Sequence, residues 1–287
     1  MTMARATPVD DAVLRHECRI FSSDVVLATT GAPRTPFDQV EARLRDLDAR
    51  FSRFVSGNEL DALNSAAGAW TPVSPEMRRL LVHALEVSVA SHGLVNISTT
   101  PALRRAGYVA SWPAPWSRPS EDASALAPLT EVLEVREDRA RLAPGCAVDF
   151  GALAKGLWAD VVVDLLGEDA AAGLGGDVAA RGPGPGGEGW PIGLPSGRTL
   201  VVRDGGLATS GTSKRSSGHA HHVIDPRTGQ PAGRGPREVS VLASSATTAE
   251  WVATALLVDP ADPTGLTERP DVLWSSATDS QGSGDDD

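Results

Sequence analysis

A change of hydrophobic period along the chain limits what it can fold into more than any other feature: helical spacing dominates before about residue 166, and short runs of β-formers cut by glycine and proline follow. Ile20 to Thr29, with Val25, Val26 and Leu27, reads as a first strand ended by Gly31 and Pro33. Thr35 and Pro36 then open a helix whose Val40, Leu44, Leu47, Phe51 and Phe54 recur at four-three-four-three spacing, the mark of one buried face. Ser74-Pro75-Glu76 starts a second helix, with Met77, Leu81, Ala84 and Ser88 on one side and Gly93 as its stop. Residues 111–130, rich in Pro, Trp, Ser and Ala without a period, predict a surface loop, and Val132–Val135 with Ala140–Leu142 a hairpin. A third helix is expected over Gly151–Leu166 on the spacing of Leu153, Leu157, Val161 and Leu165. Strands are expected at Thr199–Arg203, Leu207–Ser210, His221–Ile224 and Glu238–Ala243, then a helix over Thr247–Val258, a strand over Val272–Trp274 and a disordered tail from Ser275.

At 287 residues the chain can bury a substantial core, and a net charge of −11 argues against a nucleic-acid or anionic-membrane surface. Only Cys18 and Cys146 are present, without metal-like spacing, which suits a reducing compartment and excludes a disulfide scaffold or zinc knuckle. Met1 to Arg15 lacks the apolar run of a signal peptide and nothing later reaches the length of a membrane span, so a cytoplasmic protein is expected. There is no internal repeat.

Several segments could carry chemistry. In His222-Val-Ile-Asp225-Pro226-Arg227-Thr-Gly229 an imidazole runs into an Asp-Pro turn that closes on glycine. A histidine with an ordinary pKa of ~6.5 suits a general base. Asp149-Phe-Gly151-Ala152-Leu-Ala154-Lys155-Gly156, with Asp160 beyond, sits at an expected helix start, where free N–H groups and a lysine favour a phosphate; equally, Asp149 caps the helix and Lys155 is solvated. Glu250 and Thr254, one helical turn apart, offer a carboxylate and a hydroxyl to one hard cation, although Thr247 and Glu250 also have capping-box spacing. Gly175-Gly176-Asp177 and Thr209-Ser210-Gly211 bring small residues that admit a planar ligand. The glycines lack the GxGxxG spacing of a dinucleotide fold, and Ser210 is in no GxSxG elbow.

Taken in order, these five segments resemble the ApbE family of FAD:protein FMN transferases: D-x-G-x-x-A-K-G-x-x-x-D at Asp149, GGD at Gly175, ATSG at Ala208, A-D-x-x-A-T-A at Ala249, and HIIDPRTG at His222. Phe51-Ser-Arg-Phe54 with Asn58 to Asn64 is similar to the family's F-S-x-Y and S-E-L-x-x-L-N. The chain departs from the pattern with Glu250 in place of Asp, a carboxylate set about 1.5 Å further out by one C–C bond. It departs again in Asn96, Ile97 and Ser98, where the family has Asp, Pro and Thr.

The resemblance implies a single α+β domain of two packed sheet-and-helix lobes with a ligand cleft between them, spanning residues 18–274 between a flexible N-terminus (1–17) and an acidic tail (275–287). It implies magnesium-dependent transfer of FMN from FAD to a Thr or Ser hydroxyl of a partner protein, with release of AMP. His222 is then the base, supported by Asp225 and Arg227, and Ala152 (through its carbonyl), Glu250 and Thr254 the metal ligands. FAD contacts are expected from Phe21, Phe54, Asn64, Leu94, Val95, Asn96, Asp149, Lys155, Gly176, Asp177, Thr209, Ser210, His222 and Ile224. The alternatives are an FAD pyrophosphatase, with water replacing the protein hydroxyl, and a flavin-binding protein without turnover.

Overall fold

The computed structural model describes residues 13–111, 113–117, 122–213, 216–217, 220–233, 238–262, 264–269 and 272–277. The chain opens with a hairpin of β1 (Leu14–Ile20) and β2 (Ser23–Thr29), turned at Phe21 and Ser22, both at positive φ (57° and 54°), the twist that two-residue hairpins favour. The strand expected at Ile20–Thr29 is thus the second half of a hairpin, and residues 14–17, expected to be flexible, belong to its first half. Arg15, Glu17 and Arg19 project to solvent between His16, Cys18 and Ile20, so a half-buried edge strand reads as a polar tail.

Helix α1 (Phe37–Phe51) starts one residue after Pro36 and has no side-chain cap; the N–H of Thr35 instead donates to Leu165 O (3.2 Å). It ends at Phe51 because Ser52 turns extended (ψ 126°), so Phe54 lies beyond the helix rather than on its stripe. The short α2 (Glu59–Asn64), capped by the Asn58 side chain, precedes β3 (Thr71–Pro72) and α3 (Pro75–Ala90), whose Ser74 cap accepts from Met77 N–H as expected. After α4 (Thr100–Arg105) and α5 (Leu129–Val132), β4 (Leu133–Val135) and β5 (Arg139–Leu142) form the expected hairpin, joined by β3 in the order β3-β5-β4.

Helix α6 (Ala154–Leu166) buries Ala154, Trp158, Val162, Val163 and Leu166, whereas Val161 is exposed. The stripe expected every four residues from Leu153 fails because each such step advances 40° beyond a full turn, which carries it off the buried face within three steps. Strands β6 (Ala170–Leu174), β7 (Asp177–Arg181) and β8 (Trp190–Gly193) follow; the first two, mostly Ala, Gly and polar residues, carry little strand preference of their own. β9 (Thr199–Val202) and β10 (Gly205–Gly211) lie where strands were expected. β11 (Ser216–Ser217), β12 (Ala220–His221), β13 (Ile224–Asp225) and β14 (Gln230–Pro231) are two-residue pairings, so the strand expected over His221–Ile224 is interrupted at His222 and Val223. β15 (Glu238–Ala243) and α7 (Ala246–Val258) precede a short 3-10 turn, and β16 (Leu273–Ala277) ends the described chain. Residues 275–277, expected to be disordered, pair with β15; the rest of the tail lies outside the described residues.

Seven strands form one antiparallel sheet in the order β1-β2-β6-β7-β10-β15-β16, with α6 packed on β6 and β7 and α7 on β10 and β15. One core joins this layer to the lobe of α1, α2, α3 and the three-stranded sheet: Leu44, Leu81 and Leu142 belong to the same buried cluster as Val163, Val241 and Leu256. The fold is therefore a single α+β domain, and residues 143–153 carry the chain from the small sheet to α6. Among the described residues no helix is long and apolar enough to cross a membrane.

Candidate active site

Three charged side chains from three elements meet where α6, α7 and β7 converge. Lys155 Nζ on α6 donates to Asp177 Oδ2 at the start of β7 (2.5 Å) and to Glu250 Oε1 on α7 (2.6 Å), and Gly151 O stands 3.5 Å from it. Glu250 Oε2 accepts from the backbone N–H of Gly156 (2.8 Å). The carboxylates are 4% and 3% exposed and the lysine 15%, so the group is shielded from water. Two carboxylates against one ammonium leave an uncompensated negative charge. Burial, with Asp177 adding to it, pushes Glu250 up to about 8 despite the pull of Lys155, whereas the two carboxylates outweigh burial and hold Lys155 above its ordinary value.

Local sequence explains why the three meet. Gly175 and Gly176 (φ 67° and 115°) form the two-residue turn between β6 and β7 that places Asp177 opposite Leu174, and Gly175 lies against Ser23 beside the β1–β2 turn. Asp160, one turn and a half along α6 from Lys155, accepts from Ala246 N–H (3.1 Å), Thr247 N–H (2.8 Å) and the Thr247 hydroxyl (2.6 Å), thereby capping α7 from another helix. The α7 cap within the chain is Ser245, which accepts from Thr248 N–H, so Glu250 does not close its own helix. Asp149 is likewise no helix cap: it accepts from Gly151 N–H (2.6 Å), and α6 begins at Ala154 after Leu153 without a side-chain cap.

Gly156 sets how closely α6 and α7 approach, since a Cβ there would lie 2.5 Å from Ala246 O and 3.0 Å from Glu250 Cβ. Gly156→Ala is expected to destabilise the protein by roughly 1–3 kcal/mol, the overpacking outweighing the ~1 kcal/mol helix-propensity gain, and to loosen the Glu250 contact. Thermal denaturation checks this; a variant as stable as the parent would contradict the close crossing.

The other expected residues fall into three neighbourhoods. Ser210 Oγ and Thr254 Oγ1 are 3.1 Å apart, Thr209 Oγ1 pairs with Ser240 Oγ (2.9 Å), and Thr209 N–H donates to Gly176 O (3.1 Å), which ties the Thr209 strand to the Gly-Gly turn. Phe54 sits in a second cluster with Tyr108, Trp116 and Ile224. There the Arg53 guanidinium lies over both the Phe54 and Tyr108 rings (4.1 and 4.5 Å) and its Nε stands 2.6 Å from Asp149 Oδ2. The amides form the third: Asn64 makes a two-way bond with the backbone of Val148, and Asn96 accepts from Ser98 N–H and Oγ while donating to Ala127 O. Leu94 and Val95 are buried in the main core, and Phe21 stacks on Trp158 (4.9 Å). Sequence reasoning missed Arg53 and Tyr108; the first lay inside the Phe51–Phe54 motif, the second had no local signal.

His222 is half-buried between β12 and β13. Its neighbour His221 turns inward: Nε2 lies 2.7 Å from Ala232 O and Nδ1 accepts from Val223 N–H (3.3 Å), so the proton is on Nε2, and burial pushes this imidazole down. Beyond, Arg227 bonds Asp225 (2.9 Å) and Asp259 (2.5 Å) and holds Asp225 below its usual value against the opposing effect of burial. Gly229, at φ 69°, closes the turn with its N–H on Asp225 O (2.8 Å).

The profile of the ApbE family matches residues 19–271. The FAD:protein FMN transferase of Haemophilus influenzae is 24% identical over 260 residues, covering 80% of this chain and 74% of that protein. Two solved structures share the fold: the apo flavinyl transferase ApbE of Pseudomonas stutzeri (TM-score 0.77, 24% identity, 95% and 97% of the two chains) and the ApbE protein of Thermotoga maritima (TM-score 0.78, 20% identity, 91% and 93%).

Proposed function

Because the chain belongs to the ApbE family, we propose that it is an FAD:protein FMN transferase that moves FMN from FAD to a Thr or Ser hydroxyl of a partner protein. The observation that carries this reading is the buried Lys155–Asp177–Glu250 group with its one uncompensated negative charge, which fits a hard cation next to a pyrophosphate. Each carboxylate oxygen of Glu250 uses one lone pair on Lys155 or Gly156 and keeps another, so Glu250, Thr254 and the Ala152 carbonyl would hold magnesium there. When bound, the ion neutralises charge on the pyrophosphate.

The chain's own residues do the rest. Lys155 has its donors engaged by Asp177, Glu250 and, at longer range, Gly151 O, so it positions the carboxylates rather than reaching for a phosphate. Arg53, held against Asp149, presents the Phe54 and Tyr108 rings as a surface on which a flavin stacks. His222 takes the proton of the acceptor hydroxyl; the oxygen forms a bond to the FMN phosphorus as the P–O bond to AMP breaks. Two unpaired cysteines agree with a cytoplasmic site of action.

The test is AMP release from FAD with magnesium, with and without a domain bearing a flavinylation threonine, followed by mass analysis of that domain. An acceptor heavier by one FMN less water is expected. Free FMN with an unmodified acceptor would make the protein a pyrophosphatase, and bound FAD without AMP a flavin carrier.

A further inference from the structure

On the opposite side of α1 from the flavin machinery, a second cluster of ligand-type side chains is built by strand periodicity. His16 and Cys18, two residues apart on β1, point to the same face, and Glu41 on α1 meets them. Among the described residues this is the only group of three or more His, Cys, Asp or Glu whose ligand atoms all lie within 4.8 Å of one another. His16 Nε2 is 2.6 Å from Glu41 Oε2, and all three residues are half-buried.

The surroundings orient these atoms. The His16 ring stacks on Phe37 (5.7 Å between centroids, 13° between planes), which fixes its plane. Arg45 takes Glu41 Oε1 from two of its nitrogens (2.8 and 2.6 Å), which leaves Oε2 turned toward His16 and Cys18. Outer partners that lock one oxygen of a carboxylate or one plane of an imidazole are what a metal site needs behind its ligands. The contact of His16, followed by that of Arg45, holds Glu41 below its ordinary value and therefore ionised.

We propose that His16, Cys18 and Glu41 bind a divalent transition-metal ion of the zinc class, with solvent completing the shell, and so tie the edge strand of the large sheet to the first helix. The donor set of one thiolate, one imidazole and one carboxylate matches the preferences of zinc and not those of magnesium, which takes oxygen. Burial, with Glu41 adding to it, pushes the Cys18 thiol up, so the ion displaces a proton: Cys–SH and M2+ give the metal thiolate and H+, which passes to water. The Arg45 charge opposes the ion, but thiolate and carboxylate together outweigh it.

Cobalt(II) reports this site directly in the full-length, untagged chain, because thiolate ligation gives a charge-transfer band that oxygen and nitrogen ligation do not. One equivalent of Co2+ is expected to produce the band, excess Mg2+ to leave it unchanged and Zn2+ to abolish it. Cys18→Ser should remove it and His16→Ala weaken Co2+ binding at least about tenfold, with Tm confirming that both variants fold; Cys146→Ser should retain it, and the sequence has no third cysteine. Absence of the band in the parent protein, or its persistence in Cys18→Ser, would overturn the assignment.

Discussion

Lys155→Met is expected to lower stability by about 3–5 kcal/mol at neutral pH, a fall in Tm of roughly 10 °C, because it leaves two buried carboxylates without their ammonium. The deficit should depend on pH, with a sign the geometry dictates. Glu250 in the folded parent titrates at about 8, above the ordinary 4.5, so its favourable contribution is complete below pH 4.5 and disappears as pH rises through 8. Removing Lys155 removes the one attraction that opposed this rise, so the folded value climbs further and the loss grows toward alkaline pH. Parent and variant should therefore be closest near pH 5 and furthest apart near pH 9. Adding Glu250→Gln to Lys155→Met should recover part of the stability, since one stranded charge becomes a neutral amide. A Lys155→Met variant within about 1 kcal/mol of the parent at every pH would show that the three groups are not a buried, coupled set.

Much of this site was legible because its parts lie in short segments whose chemistry is local. The Ser74 cap, the β4–β5 hairpin, β15 and the turn that ends on Gly229 follow from residues within a few positions of one another. What the sequence concealed is pairing between distant segments. Asp149 and Asp160 carry the residue type of a helix cap, yet Asp149 faces Arg53 and Asp160 caps a helix that starts 86 residues later. Glu250 has the spacing to close its own helix but is drawn to Lys155, 95 residues away. Strands β6 and β7 were hidden for the converse reason: their alanines and glycines have no strand preference, and the sheet recruits them because small side chains let α6 pack close above. The edge strand β1 was hidden by its charges, which face water and keep that edge from pairing with another chain.

His222→Ala should reduce FMN transfer about 10²- to 10⁴-fold while leaving Tm and FAD affinity near those of the parent, the magnitude expected for loss of a general base. The contrast between the two adjacent histidines makes this a test of role. His221 is committed to structure, with one ring nitrogen on Ala232 O and the other on Val223 N–H, so His221→Ala should cost stability. His222 stands next to it on a segment fixed from both sides: Val223 and Ile224 are buried, and the turn beyond them is fastened by Arg227 to Asp225 and Asp259. A base must be held still and be reachable, and a half-buried imidazole on a braced loop meets both demands. The decisive measurement is single-turnover transfer to the acceptor with magnesium, alongside FAD titration and thermal denaturation of each variant. Transfer by His222→Ala at the parent rate would remove the base from this residue and leave the hydroxyl to be activated by the cation site alone. A slow His222→Ala enzyme that still binds FAD would place the proton transfer on this imidazole, separate from the charge stabilisation built by Glu250, Asp177 and Lys155.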